Sequence, residues 1–178
     1  MNFFEKILQV LDADMTRPTM YGWFHLVALL VVIGLIVLVV FKCKNLSEKA
    51  FRTIILTTAI VLIIFEIYKQ LNFSYNPDSD TWDYQWYAFP FQFCSSPMYV
   101  LLLIGCLKEC KFRNFLCSFM ATFGLFAGIG VMLYPSTVFI ETIGINIQTM
   151  IHHGSMVVIG VLMFIWITFC ARKNTPCR

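Results

Sequence analysis

Apolar residues gather into five runs of roughly 20 residues, about what a helix rising 1.5 Å per residue needs to cross a hydrocarbon core of about 30 Å. They predict membrane-spanning helices at about 20–41, 51–71, 88–107, 115–134 and 148–171. Ahead of them, Phe3, Phe4, Ile7, Leu8 and Leu11 recur at helical spacing, with Glu5, Lys6, Asp12 and Asp14 between them. This pattern predicts a short amphipathic helix over residues 1–19 lying at the membrane interface. The segment lacks the basic start, uninterrupted apolar core and small-residue cleavage site of a secretory signal. Weak ten-residue alternation of the kind that marks an outer-membrane barrel is missing, so unbroken helices, which satisfy their own backbone groups in lipid, are expected. The fold class is therefore an all-α membrane protein, a single bundle of about five transmembrane helices over residues 1–178.

Composition agrees with that class. The chain has 178 residues, 59% of them hydrophobic and 13% charged, and a mean hydropathy of +0.76, too apolar for a water-soluble domain of this size. A net charge of +3 is small, and with the basic residues confined to short loops it indicates membrane orientation and argues against nucleic-acid binding. Lys42, Lys44, Lys49 and Arg52 follow the first run; Lys108, Lys111 and Arg113 follow the third; Arg172, Lys173 and Arg178 close the chain. These belong in the cytoplasm, which places the N-terminus outside and the C-terminus inside. The remaining loops carry Asp78, Asp80, Asp83 and Glu141, with Lys69 the one cation. A multi-pass plasma-membrane location follows as the expectation.

Orientation then sorts the polar residues inside the runs, which are rare, costly and by default functional. His25, Glu66, Gln92, Cys94, His152 and His153 all fall roughly 6 to 9 Å below the outer boundary when counted at 1.5 Å per residue. Four helices would thus bring ionisable or nucleophilic groups to one depth, predicting a polar pocket near the outer leaflet walled by Trp82, Tyr84, Trp86 and Tyr87. Six of the seven cysteines lie on or near the cytoplasmic side, where thiols stay reduced, and Cys94 alone faces outward without a disulfide partner. Cys106 and Cys110 stand a helical turn apart, but no further ligand completes a set, so neither a metal nor another cofactor is expected.

At these residues the chain resembles a known family. Phe89-Pro90-Phe91-Gln92-Phe93-Cys94 is similar to the Leu-Pro-Leu-His-Leu-Cys box of the YwaF-like integral membrane proteins. The Gly-rich stretch from Gly124 to Pro135, then Ile147-Gln148 and His153-Gly154, resembles further elements of that family, as do the positions of His25 and Glu66. The chain departs from the pattern at Gln92, where the family has histidine, and it stops at Arg178 where members usually continue for a further pair of helices. Relatives of the family include a thiol-dependent acyltransferase acting on ether phospholipids. The resemblance therefore implies a Cys/His-dependent acyltransferase or lipid hydrolase whose partner is a membrane lipid or acyl chain.

On that reading Cys94 is the nucleophile, holding the acyl group as a thioester. His153 is the general base, and Glu66 orients it. Gln92 and Gln148 supply oxyanion donors, His25 and His152 contribute to substrate binding, and the chain lies near Phe91, Phe93, Gly124, Gly128 and Gly130. Each residue also has a plainer use. Cysteine often serves as a small packing residue, His152 fits an interfacial position, His25 a partner for Tyr21 or Trp23, and Glu66 an ion pair with Lys69. Gly124, Gly128 and Gly130 fit close helix packing. The alternative function is a non-enzymatic binding or transport component with a Glu66/His153 pocket. Five spans without an internal repeat argue against a self-contained alternating-access transporter.

Overall fold

The computed structural model describes residue 6, residues 13–76, residue 79 and residues 81–172. Its helices are α1 (Trp23–Lys42), α2 (Glu48–Ser74), α3 (Ser96–Cys106), α4 (Lys111–Phe119), α5 (Leu125–Leu133) and α6 (Ile143–Arg172). A five-residue π turn, Met120–Gly124, joins α4 to α5, so the two form one stretch. Four stretches are long and apolar enough to cross a membrane: Trp23–Lys42, Glu48–Ser74, Lys111–Leu133 and Ile143–Cys170. The chain is an all-α, multi-pass integral membrane protein.

The third run differs from its expectation. Only Ser96–Cys106 is helical, about 16 Å at 1.5 Å per residue and too short to span. Its first half is instead a 3₁₀ turn at Trp86–Ala88 followed by successive turns through Ser95. Two prolines explain this. Pro90 disfavours a helical Phe89 before it, and Pro97 occupies the first turn of α3, where a missing N–H costs nothing. Non-helical backbone at this depth must be satisfied by protein. Here the Gln70 side chain caps Ala88 O, the Gln92 side chain caps Tyr87 O, and the Tyr99 hydroxyl donates to Pro90 O at 3.3 Å.

Most of the interfacial helix expected over 1–19 lies outside the described residues; those of its residues from 13 onward are not helical. Pro18 forbids a continuing helix there, and Asp14 instead bridges Thr142 in antiparallel fashion. Backbone bonds Met15 N–H to Glu141 O, 2.8 Å, and Ile143 N–H to Ala13 O, 3.1 Å, tie this segment to the loop before α6. The fully buried Asn146 fixes that loop from the other side, accepting from Ile140 N–H at 3.0 Å and donating to Ile140 O at 2.7 Å.

The end carrying Trp23, the α2–α3 connection and the start of α6 is called the outer end, following the loop charges. A short hairpin, Tyr75–Asn76 paired with Thr81–Trp82, lies in the α2–α3 connection. The dense core sits at the opposite end, where Phe51, Ile55, Leu101, Ile104, Leu162 and Met163 from α2, α3 and α6 are buried and Phe51 stacks on Trp166 at 4.2 Å. Dispersion and close fit hold such a bundle in lipid, since apolar burial gives no advantage over contact with lipid tails. Arg113, itself buried, pairs with Glu48 at 2.7 Å and donates to Ile104 O at 3.0 Å, while Arg52 donates to Gly105 O. These two cations therefore satisfy the orphan carbonyls at the end of the short α3.

Candidate functional site

The outer half of the bundle holds a cavity of about 230 Å³ between α2, the turns before α3, the Thr137–Ile140 loop and α6. Glu66, Cys94, Gln92, Gln148, His152 and His153 all line it. The equal depth of these residues, counted along their helices, is thus matched by a shared space.

His25 is the expected site residue that does not line it. It is fully buried, with Nδ1 accepting from Tyr21 N–H at 3.0 Å and Nε2–H donating to Met132 O at 2.8 Å. One neutral tautomer satisfies both bonds, and the ring stacks on Tyr21, whose φ of 60° aims its N–H at the imidazole. The residue stitches the start of α1 to the end of α5, which leaves neither nitrogen for a ligand.

The acidic partner expected for His153 is also engaged elsewhere. Glu66 Oε1 accepts from Lys69 at 2.7 Å and from Gln70 at 2.9 Å, and Oε2 accepts from the Ser95 hydroxyl at 3.4 Å. Glu66 and Lys69 are 3% and 9% exposed, so the charge pair is desolvated and each member depends on the other. Through Ser95, the pair holds the residue next to Cys94. His153 is oriented by Thr149 instead. Its Nδ1–H donates to Thr149 O one turn back at 2.9 Å, which makes Nε2 the acceptor nitrogen.

The neighbouring His152 is the imidazole attached to Cys94. Its Nε2–H donates to Cys94 O at 2.8 Å, linking the middle of the outer half of α6 to the turn before α3. The ring is 3% exposed, and among the described residues its Nδ1 is buried without a hydrogen-bond partner. A buried acceptor left unmade is uncommon and costs on the order of 1–3 kcal/mol. His152 is therefore buried in the bundle, in place of the interfacial position considered for it.

Gln92 sits against Cys94. Its Nε2 donates to Tyr87 O, and the Cys94 thiol donates to its Oε1 at 3.7 Å. That amide is already committed, whereas Gln148, 4% exposed in the cavity wall, accepts a long 3.5 Å bond from Thr149 at its oxygen. The aromatic wall is thinner than expected: of its four residues Tyr87 lines the cavity, whereas Trp82, Tyr84 and Trp86 do not, and neither do Phe91 and Phe93. Gly124 and Gly128 are not an open tunnel. A side chain at Gly124 would meet Met120 Cε at 2.8 Å, and one at Gly128 would meet His153 O at 2.9 Å. Gly128 is the seat of a close α5–α6 approach.

Ser95 and Thr149 are the site residues that sequence reasoning passed over, while Lys69 is the partner that the plainer reading of Glu66 named. Each carried a readable signal. Lys69 stands one turn from Glu66, Thr149 one turn before His153, and Ser95 directly after Cys94.

The TMEM164 family matches residues 20–174 of the chain, most of its length. The chain belongs to that family, and its members are transmembrane proteins. The match does not extend to the YwaF-like relationship expected from the short motifs, nor to an acyltransferase relative. Comparison with curated proteins, and with solved structures, gave no match.

Proposed function

We propose that this member of the TMEM164 family is a thiol-dependent acyltransferase of membrane lipids, working from the cavity at its outer end and, on the loop charges, at the outer leaflet of the plasma membrane. The observation that carries the reading is His152, which binds the Cys94 carbonyl, lines the same cavity as Cys94 and, among the described residues, keeps a buried nitrogen without a hydrogen-bond partner. A thiol proton would satisfy that nitrogen. The resemblance of the Phe89–Cys94 box to that of the YwaF-like proteins, whose relatives include a thiol-dependent acyltransferase, is a weaker argument in the same direction.

The base role accordingly moves by one residue from His153 to His152. In the first half-reaction the Cys94 proton passes to His152 Nδ1 and the thiolate attacks the ester carbonyl carbon. A C–S bond forms, the ester C–O bond breaks, and the leaving alkoxide takes the proton from His152. In the second, an acceptor hydroxyl gives its proton to His152 as its oxygen attacks the thioester carbonyl carbon; a C–O bond forms, the C–S bond breaks, and the Cys94 thiolate takes the proton back from His152. Gln148 provides an amide donor for the developing oxyanion. Lys69, held by Glu66, offers a cation to the lipid phosphate, and His153 shapes the wall behind His152.

Intact-mass measurement after incubation with phospholipid vesicles tests the scheme. An acyl-sized adduct that neutral hydroxylamine removes, and that Cys94→Ser lacks, is expected. Absence of any adduct on correctly folded protein would remove the covalent mechanism and favour a non-enzymatic binding role for the same cavity.

A further inference from the structure

Away from the cavity, two apolar slots lie end to end along α1. The outer one, about 460 Å³, runs between α1 and α6 from Trp23 to Leu35 and Ser155. At those two residues it meets an inner slot of about 320 Å³, which α2 helps to enclose through Ile54 and Thr58. Leu38, Val39, Val158 and Leu162 line this inner slot, which ends at Cys43 and shares no residue with the cavity. From Leu35 to Cys43 it follows α1 for about 12 Å at 1.5 Å per residue. That is close to the depth of one leaflet, about half of a 30 Å hydrocarbon core. Its walls are aliphatic, and the Thr58 hydroxyl is satisfied within its own helix, donating to Ile54 O at 2.9 Å.

Uncommitted cations gather at the Cys43 end. Lys42 and Lys44 bracket Cys43, and Lys49 lies in the first turn of α2. All three are exposed and have no carboxylate partner among the described residues. Arg52 and Arg113, by contrast, are engaged with the end of α3, and Glu48, the acidic residue of that first turn, is drawn to Arg113 at 2.7 Å. The N-terminus of α2 adds to the positive field. Ser47 caps it by accepting from Ala50 N–H at 3.2 Å, which leaves the first N–H groups of a 27-residue helix for another acceptor. At the far end of the outer slot the loop before Ile143 carries Glu141, and Arg17 is bound to Ser136 O.

We infer that the α1–α2–α6 slot binds an anionic phospholipid of the cytoplasmic leaflet, with one acyl chain in the slot and the phosphate at Lys42, Lys44 and Lys49. The site is separate from the cavity and independent of the acyl-transfer reading. A basic rim on an apolar slot between membrane helices, on the side where the leaflet is itself negative, is the arrangement that holds such headgroups. The slot takes a chain down to Leu35 and Ser155, at about the bilayer midplane. A partner helix would instead need contact along about 30 Å. Only the inner slot is closed by α2, and that is where the cations stand.

The test has two arms. In the first, the full chain is placed in nanodiscs of phosphatidylcholine with a minority of phosphatidylserine, and native mass spectrometry identifies the lipid that stays bound. One phosphatidylserine per chain is expected, enriched over its share of the bilayer. Changing Lys42, Lys44 and Lys49 together to Gln, at exposed positions that folding does not depend on, should lower that enrichment at least tenfold. Changing Lys108 and Lys111 to Gln, on the α3–α4 connection at the same end, should leave it in place. Equal losses in the two variants would reduce the effect to general surface charge and overturn the site, as would a dimer that retains no lipid, which would give the slot to a second copy. The second arm needs no variant: phosphatidylserine with a diazirine in its acyl chain is photolysed with the wild type and the labelled peptides are mapped. Labelling near Ile54, Thr58 and Val158 is expected, and labelling that misses these residues would refute the slot.

Discussion

Gly128 and Gly130 lie two residues apart on α5, yet the same change at each should act in opposite directions. A Cβ built on Gly128 stands 2.9 Å from His153 O, from Met156 Cβ and from Val157 Cγ2. A backbone oxygen and a Cβ cannot swing aside, so Gly128→Ala must push α5 and α6 apart by several tenths of an ångström, an overpacking cost of about 1–3 kcal/mol. A Cβ on Gly130 meets nothing within 4 Å. Both changes gain the roughly 0.8–1 kcal/mol by which alanine exceeds glycine in a helix interior. That gain cancels between them, so Gly128→Ala should be less stable than Gly130→Ala by the packing cost alone, about 1–3 kcal/mol. Gly130→Ala should itself be more stable than wild type. Reversible unfolding in mixed micelles, titrated with denaturing detergent, gives both values on one scale. Two variants of equal stability would show that α5 and α6 do not meet at Gly128, and would remove the argument against an open tunnel there. Because His153 O is one of the atoms met, Gly128→Ala should also disturb the cavity.

The Glu66–Lys69 pair predicts strong non-additivity. Glu66→Gln strands a buried ammonium and should cost about 3–5 kcal/mol, whereas Glu66→Gln combined with Lys69→Met should recover most of it. Additive single and double effects in the same detergent titration would mean that water reaches both charges. His25→Ala removes two hydrogen bonds, orphans Met132 O and leaves a ring-sized void, so a loss of about 3–5 kcal/mol is expected with little change in acylation per folded molecule. A kinetic defect without a stability defect would return His25 to the site. His152→Gln should slow formation of the Cys94 adduct by about 10²-fold or more, the range for loss of a general base, and His153→Gln by less than tenfold. Quenched time courses of the adduct measure both, and the opposite ranking would restore the base role to His153.

Span positions were legible because length and composition alone define them: α1, α2 and α6 each cover most of the apolar run that predicts them. The third run misled because hydropathy counts side chains and is blind to what Pro90 and Pro97 do to backbone. Depth was legible too, since a rise of 1.5 Å per residue is fixed by the helix itself. Rotation was not. In a soluble helix the apolar stripe reveals which way each residue faces, but apolar residues surround a membrane helix on every side. Neighbours such as His152 and His153 point about 100° apart, so which of them meets Cys94 O could not be told from sequence, although Thr149, one turn before His153, was within reach by spacing. Glu66 shows part of the same limit: Lys69 and Gln70, one turn on, were within reach by spacing alone, while its contact to Ser95 follows from a rotation the sequence does not display.

The π turn at Met120–Gly124, where Leu125 N–H reaches back five residues to Met120 O, amounts to one residue inserted into a membrane span. A bilayer-crossing helix has no loop in which to absorb an insertion, so the extra residue is carried as a bulge and everything beyond it turns by about 100°. It is this turn that brings Gly128 against α6. A relative lacking one residue between Met120 and Gly124 would keep both ends of the span in place and present a different face of α5 to His153. A one-residue gap at this point in an alignment of relatives would therefore mark a rebuilt cavity wall, although every residue named in the site were unchanged.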